Sequence, residues 1–594
     1  MKRGTFCILL FSILLPGLPL QAQENLLMKA LRDEMGRTME RLQLEDMDRP
    51  YYVAYWVRES EGRGRMAILG GLLGRGRVSA SRYLSVELRV GDHDLDNTNF
   101  MDFGRLRSRV VREGFPVSLP LRDDYKELRR QIWLATDGAY KQAVQSLAKK
   151  RATLQNKTRV EIIPDFSHEE PVEYRDDSPP APLPDHARLE AVVKDLSALF
   201  KEMPHIFDSR VSASLNRGKV YFVNSEGSSY VRNFSSASIQ ALAATQAADG
   251  THLEDFVAAR GRQWKDLPDQ AELEARIRAA AERLGRLREA GFVERYSGPV
   301  LFEGQAAAEL VSQILAPRLL ALRTPITDDP MFGRSGSGAG NPFLEKLGSR
   351  VLPRFLNIID DPTAENHGED PLLGGYEVDD EGVRSRRTTI VQRGLLKTLL
   401  ATRTPVSGVS NSTGNRRNAG PSPSNLFLIP QNGLKQEAIR QELLNLVEER
   451  GLDFGIVVRR VGSPGMTLSR DRGFFFAMPG PGEEQRPKLK PLTEAYKVFP
   501  DGREELIRKA VLLGLSASSF REIEAASKTL TPYHTSFRVP MTNPFSSFAF
   551  MGSSSVVSLV VPSLLFEDLA LRRPPGDIPR PPLLAHPLSQ PQAR

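Results

Sequence analysis

The chain of 594 residues contains a single cysteine, Cys7, at its very start. Everything after it lacks a thiol, which excludes disulfides and thiolate metal ligands from the rest of the molecule. Histidine is scarce too. The eight, at 93, 168, 186, 205, 252, 367, 534 and 586, include no two at the spacing that sets imidazoles on adjacent helix turns or across a tight turn. There is no large excess of one charge: 80 Lys and Arg against 73 Asp and Glu leave +7, a balance that suits solubility and gives no reason to expect nucleic acid. After the first residues no apolar run is long enough to span a bilayer. No internal repeat is found, and the glycines at 70, 71, 74 and 76 are too irregular for a phosphate-binding loop.

The amino terminus carries Lys2 and Arg3, then an apolar run over 6–15, and closes on a small residue at Ala22. That is the pattern of a cleavable export signal, so the mature chain is expected to start at Gln23, in the periplasm or outside the cell. At the other end, residues 571–594 are dense in proline, which predicts a disordered tail. The length between them calls for at least two domains.

The expected fold is α+β, with mostly antiparallel sheets and packed helices: an N-terminal domain over 23–290 and a C-terminal domain over 291–570. Residues 25–44 carry apolar side chains at helical spacing, as do 123–151, 186–203 and 271–290. The basic end at Lys149, Lys150 and Arg151 reads as a solvated helix terminus. Strict alternation marks 84–90 as a strand. Two strands over 210–215 and 219–224 are expected to form a hairpin through Asn216, Arg217 and Gly218, with a further strand over 229–245. A polar connector, 164–184, has prolines at 179, 180, 182 and 184. In the second half, helices are expected over 305–322 and 436–451, and Phe474, Phe475 and Phe476 read as an alternating core strand.

The chain is organised around 297–425. An apolar strand over 299–302 hands over at Glu303 and Gly304 to an Ala-rich helix whose first amides are expected to face a cleft. Asp360, Asp361 and Pro362 follow, then Asp379, Asp380, Glu381 and Gly382, then a loop of Thr413, Gly414, Asn415 and Arg416. Three consecutive acids cannot all be buried unpaired, so 379–382 reads as a structural turn, with Arg384, Arg386 and Arg387 as the nearest partners. His93, in an acidic loop, reads as part of a solvated turn, and His367 lies near several carboxylates in an exposed loop.

The order of these segments resembles the TldD/PmbA (TldD/TldE) family, most clearly in the C-terminal half. The resemblance implies a metallopeptidase or its inactive partner subunit, paired into a homo- or hetero-dimer with a TldD-like chain around a cavity for extended peptides. Catalytic members place His-Glu on a helix with a second His four residues after that Glu, bind zinc, and take a third ligand from a cysteine farther on. Here the imidazole positions fall on Phe302 or Glu303 and on Ala307 or Ala308, and the region after Tyr533 has no cysteine. No cofactor is therefore expected, and Glu303 is left as a vestige of the catalytic position. The reading is a non-catalytic, peptide-handling subunit, with Thr413, Gly414, Asn415 and Arg416 lining the substrate site by resemblance. Two alternatives stay open: a hydrolase with a metal site rebuilt around Glu303 and His367 or with the carboxylates of Asp380 and Glu381, and an envelope scaffold.

Overall fold

The computed structural model describes residues 25–101, 116–156, 162–327, 341–418, 420–464, 466, 468, 489–540 and 554–575. The expected export signal, the Phe474–Phe476 run and the part of the expected tail from Gly576 onward lie outside them; the tail's first residues, Leu571 and Arg572, instead end a strand. Two large sheets dominate.

The first half begins with α1 (Leu26–Arg41), capped by the Asn25 side chain, which accepts from the amides of Leu27 and Met28. Then come β1 (Pro50–Ile68), β2 (Arg77–Val90), α2 (Tyr125–Gln155), α3 (His186–Ala198), β3 (Asp208–Asn224), β4 (Ser229–Gln246), β5 (His252–Gly261) and α4 (Gln270–Glu289). Strands β2, β1, β3 and β4 lie side by side and antiparallel, with β5 also on β4. The connector adds a short parallel strand, Glu173–Arg175, beside β4.

Side chains of a strand alternate between its two faces, and β1 uses that alternation to separate scaffold from site. Val53, Tyr55 and Val57 turn to one side, into a core with Leu27 and Leu31 of α1 and Leu128 and Ile132 of α2. Farther along the same face, Val211, Ala213, Ile239 and Ala241 pack under α3 and α4. Tyr52, Ala54, Trp56 and Arg58 turn the other way. Register carries that second face across the sheet: Trp56 stands opposite Phe222 and Ser85, Arg58 opposite Val220 and Tyr83, and Val220 opposite Arg232.

Two expectations fail in this half. The expected hairpin is one continuous strand, β3. Gly218 is there because of crowding rather than a turn: a Cβ would meet the Glu59 carbonyl oxygen at 1.9 Å and the Phe234 ring at 2.7 Å. Lys150 is not a solvated helix end. It is fully buried, donates to the carbonyls of Asp96 at 2.9 Å and Thr98 at 2.6 Å, and pairs with Asp165.

The second half contains β6 (Arg295–Phe302), α5 (Gln305–Leu310), β7 (Leu356–Asp360), β8 (Thr388–Gln392), β9 (Asn425–Pro430), α6 (Gln436–Glu449), β10 (Gly455–Val461), β11 (Leu492–Val498), β12 (Ile523–Phe537) and β13 (Ser555–Arg572). The sheet runs β8, β7, β9, β13, β6, β10, β11, with β12 also on β13. Most pairs are antiparallel; β6 with β10 and β9 with β13 are parallel. The fold is therefore the expected α+β type. The helix expected over 305–322 is cut short: α5 gives way to a π turn, Val311–Leu315, and a 3₁₀ turn, Ala316–Arg318. Pro317 explains the break, since it has no amide to continue the ladder. No helix among the described residues is long and apolar enough to cross a membrane.

Candidate functional site

The polar face of the first sheet looks toward the second half of the chain. Loops of the second half, over 362–365, 373–377, 380 and 416–418, stand across from it and enclose a cavity of about 1660 Å³. Its sheet wall is set by the alternation of β1 to β4: Trp56, Arg58, Tyr83, Glu87, Val220, Arg232 and Phe234. The connector's prolines 179 and 180 form part of its rim. The guanidinium of Arg58 lies 3.9 Å from the Phe234 ring centre and makes no ion pair among the described residues. It is exposed to the cavity, and the protein around it partly desolvates it, which lowers its pKa. Arg417, also on the wall, stacks 4.6 Å from the Tyr376 ring centre. Aromatic surface combined with guanidinium groups suits a ligand with apolar side chains, backbone amides and a carboxylate.

The acidic cluster turns out to bolt the two halves together. Asp379 closes the turn on itself: one oxygen accepts from the amides of Glu381 and Val383, both at 2.9 Å, the other from Arg416 N at 3.0 Å. Burial and the neighbouring Glu381 push its carboxyl up to about 7. Burial acts on Asp380 as well, but Arg232 and Arg417 outweigh it and hold that carboxyl below its usual range. Its Oδ1 accepts from Arg232, and its backbone oxygen accepts from the Trp56 indole. Glu381 accepts from the Arg403 amide at 2.7 Å and from Arg416 Nη1 at 2.9 Å. The partners are thus the guanidinium groups of Arg232 and Arg416 and the Arg403 amide, from distant segments, rather than the expected Arg384, Arg386 and Arg387. Gly382 has φ +78°, and a Cβ there would meet the Phe222 ring at 2.6 Å.

Of the loop residues, only Arg416 reaches the cavity wall. Thr413 is buried, where its hydroxyl accepts from the Ala401 amide at 2.7 Å. Gly414, at φ +75°, lies against the Arg384 carbonyl, and a Cβ would meet that oxygen at 2.5 Å. Asn415 is fully buried and donates to Asp360 at 2.8 Å. Asp360 also accepts from the amide and hydroxyl of Ser424, and its burial raises it to about 6. These three residues build the loop behind the wall.

The β6 to α5 junction does not line this cavity. Ala306, Ala307 and Ala308 are wholly buried in the second core. The Glu303 carboxylate accepts from Arg440 at 2.6 and 2.9 Å, from Gln436 at 2.9 Å and from Arg459 at 3.4 Å. Burial opposes its charge, but the Arg440 hydrogen bonds prevail and lower its pKa. A carboxylate held by two arginines, with buried methyl groups where imidazoles would have to stand, does not fit zinc, which needs further imidazole, thiolate or carboxylate donors beside it. Nor do the other acids offer a rebuilt dyad, since Asp380 and Glu381 are each committed to guanidinium partners. His367 sits on a two-residue strand paired with Asp370, beside the Phe427 ring.

Sequence reasoning misses Trp56, Arg58 and Arg232, and reaches Arg417 only as the end of the polar loop 412–417. The only signal for the first three is parity within long strands, and parity acquires meaning only when the opposite wall is known. It also misses the meeting of His93 with His168 and Glu226, which together are the one group of three among the described residues able to hold a metal ion.

Residues 295–461 match the model of the PmbA/TldA metallopeptidase C-terminal domain. Similar curated proteins include Metalloprotease MJ0996 of Methanocaldococcus jannaschii, 37% identical over 94 residues, which are 15% of this chain and 20% of that protein. Another is a metalloprotease of Methanothermobacter thermautotrophicus, 34% identical over 119 residues, 19% of this chain and 25% of that one. The chain thus spans a quarter or less of these relatives. Among solved structures, TldE from Thermococcus kodakarensis aligns over 92% of this chain and 100% of its own, with a TM-score of 0.53 and 13% identity, a likeness of fold.

Proposed function

The chain belongs to the TldD/PmbA family of metallopeptidase-related proteins, and from that premise we propose that it binds extended peptides in the cavity between its two sheets without cutting them. The Glu303 environment is the observation that carries this reading. At the position where catalytic relatives are expected to grip zinc, the carboxylate is neutralised by Arg440 and Arg459 and its neighbours are buried alanines. A peptide would lie along the wall formed by Trp56, Phe234 and Tyr376, its carboxylate groups drawn to Arg58 and Arg417. Cleavage then falls to a partner chain of the same family that carries the His-Glu helix. The basic and apolar amino terminus supports export, so both chains would meet in the periplasm or outside the cell.

The direct test is capture of the tagged chain from its native cells. A second chain with an intact His-Glu helix is expected in comparable amount, and the pair, not this chain alone, is expected to hydrolyse peptides. Hydrolysis by the pure single chain, abolished by Glu303→Gln, would overturn the proposal.

A further inference from the structure

Loop 91–96, the connector at 166–169 and the turn between β3 and β4 are far apart in the chain, and each delivers one metal-ligating side chain to the same spot. We propose that His93, His168 and Glu226 bind one divalent transition-metal ion of the zinc class. Their ligating atoms all lie within 4.8 Å of one another. The site is separate from the cavity, whose wall includes none of the three, and does not rest on the peptide reading.

Each ligand is held in place by a second interaction. His93 Nδ1 lies 3.2 Å from the Phe166 carbonyl oxygen, which can only accept, so this nitrogen carries the proton and Nε2 is left as the donor atom. That Nε2 stands 3.8 Å from Glu226 Oε1. The His168 ring stacks on His93 with centres 3.6 Å apart and planes 22° from parallel, which brings a second imidazole to the same edge. Glu226 is oriented from behind by the fully buried Arg403, whose Nη2 is 3.0 Å from Oε1 and whose Nη1 donates to Oε2. A carboxylate has about four lone-pair positions, so this pairing leaves some free on the side facing His93. Arg403 itself is fixed by the Ser167 carbonyl and by the Phe166 ring, 3.8 Å away. Ligating carboxylates and imidazoles are usually held by such outer partners.

The donor set selects the ion. Two imidazoles and one carboxylate suit zinc, nickel or copper better than calcium or magnesium, which prefer all-oxygen shells. Bonds of roughly 2.0–2.2 Å require donors somewhat closer together than they stand, an adjustment that the exposed His168 can make by sliding along the His93 ring. Its exposure also leaves a fourth position open to water. A bound ion would fasten the connector to the end of the first sheet where β2 finishes and β3 turns into β4.

The test uses the full chain, stripped with chelator and titrated with zinc chloride while heat release and thermal midpoint are followed. One zinc per chain is expected, with a rise in midpoint. His93→Ala and His168→Ala are each expected to weaken binding at least about tenfold, while His367→Ala binds as the parent does. His168 is exposed, so its variant tests the site even if His93→Ala folds poorly. The proposal is overturned if the parent binds no zinc, or if His168→Ala binds it with the parent's affinity. Peptide affinity of His168→Ala is expected to equal that of the parent.

Discussion

Arg232 of the first sheet and Asp380 of the second half form an ion pair across the boundary between the two halves, and the same guanidinium donates from Nη1 to the Val378 carbonyl at 2.6 Å. The indole of Trp56 donates to the Asp380 carbonyl beside it. One acidic residue thus ties the cavity's sheet wall to its loop wall, and the cavity's shape depends on it.

Removing one partner of that pair leaves the other charge enclosed. Asp380→Ala is expected to destabilise the chain by about 3–5 kcal/mol, and Arg232→Leu combined with it to recover part of that loss. Urea unfolding of the two single variants and the double variant measures the coupling. Additive losses would show that the two groups do not interact.

Gly382 is where the turn touches the first sheet. Gly382→Ala must place a methyl group within 2.6 Å of the Phe222 ring and hold an L-residue at φ +78°. A loss of about 1–3 kcal/mol is expected from strain and overpacking together. Gly502→Ala, also at positive φ but with nothing within 4 Å, is expected to lose less. Equal thermal midpoints for the two variants would contradict the packing of the turn.

Glu309 of α5 predicts a pH effect. Burial raises its carboxyl to about 7, although Gln305 and the Val461 amide donate to it. Between about pH 4.5 and 7 the native state keeps a proton that the unfolded chain releases, so this group's contribution to stability falls as pH rises. The full change is on the order of 3 kcal/mol. His534, buried and lowered to about 4, acts with the opposite sign between about pH 4 and 6.5, because the unfolded chain then binds the extra proton. The measurement is therefore the difference between Glu309→Gln and the parent across this range. The parent is expected to lose stability relative to the variant as pH rises; parallel curves would contradict the assignment.

Glu303→Gln tests the fate of the vestigial position. It removes the charge that Arg440 and Arg459 share, and with Arg440 partly exposed the expected cost is about 1–2 kcal/mol. Zinc content should not change. A loss of bound metal in this variant, seen by elemental mass spectrometry, would mean that Glu303 is a ligand after all.

Local patterns were readable where they depended on neighbours in the chain. The alternation of 84–90, the helical spacing of 25–44 and the turn at Asp379 to Gly382 each follow from a few adjacent residues, and the order of segments over 297–425 carried the family likeness. Features set by distant contacts were not readable. Gly218 looked like a turn because nothing local reveals the Glu59 carbonyl and Phe234 ring against it, and Lys150 looked solvated because Asp165 approaches from another segment. His93 and His168 are 75 positions apart and meet only through the connector's path. Thr413 and Asn415 looked like substrate groups because loop polarity is visible in a sequence and burial is not.

Peptide binding tests the central claim most directly. The purified chain, with and without zinc, is incubated with fluorescent extended peptides, and both anisotropy and cleavage products are recorded, alongside Arg58→Ala and Trp56→Ala. The account predicts that peptide is bound and stays intact under both conditions, and that each variant loses affinity about tenfold or more. Zinc-dependent cleavage by the single chain, or binding that both variants retain in full, would contradict it.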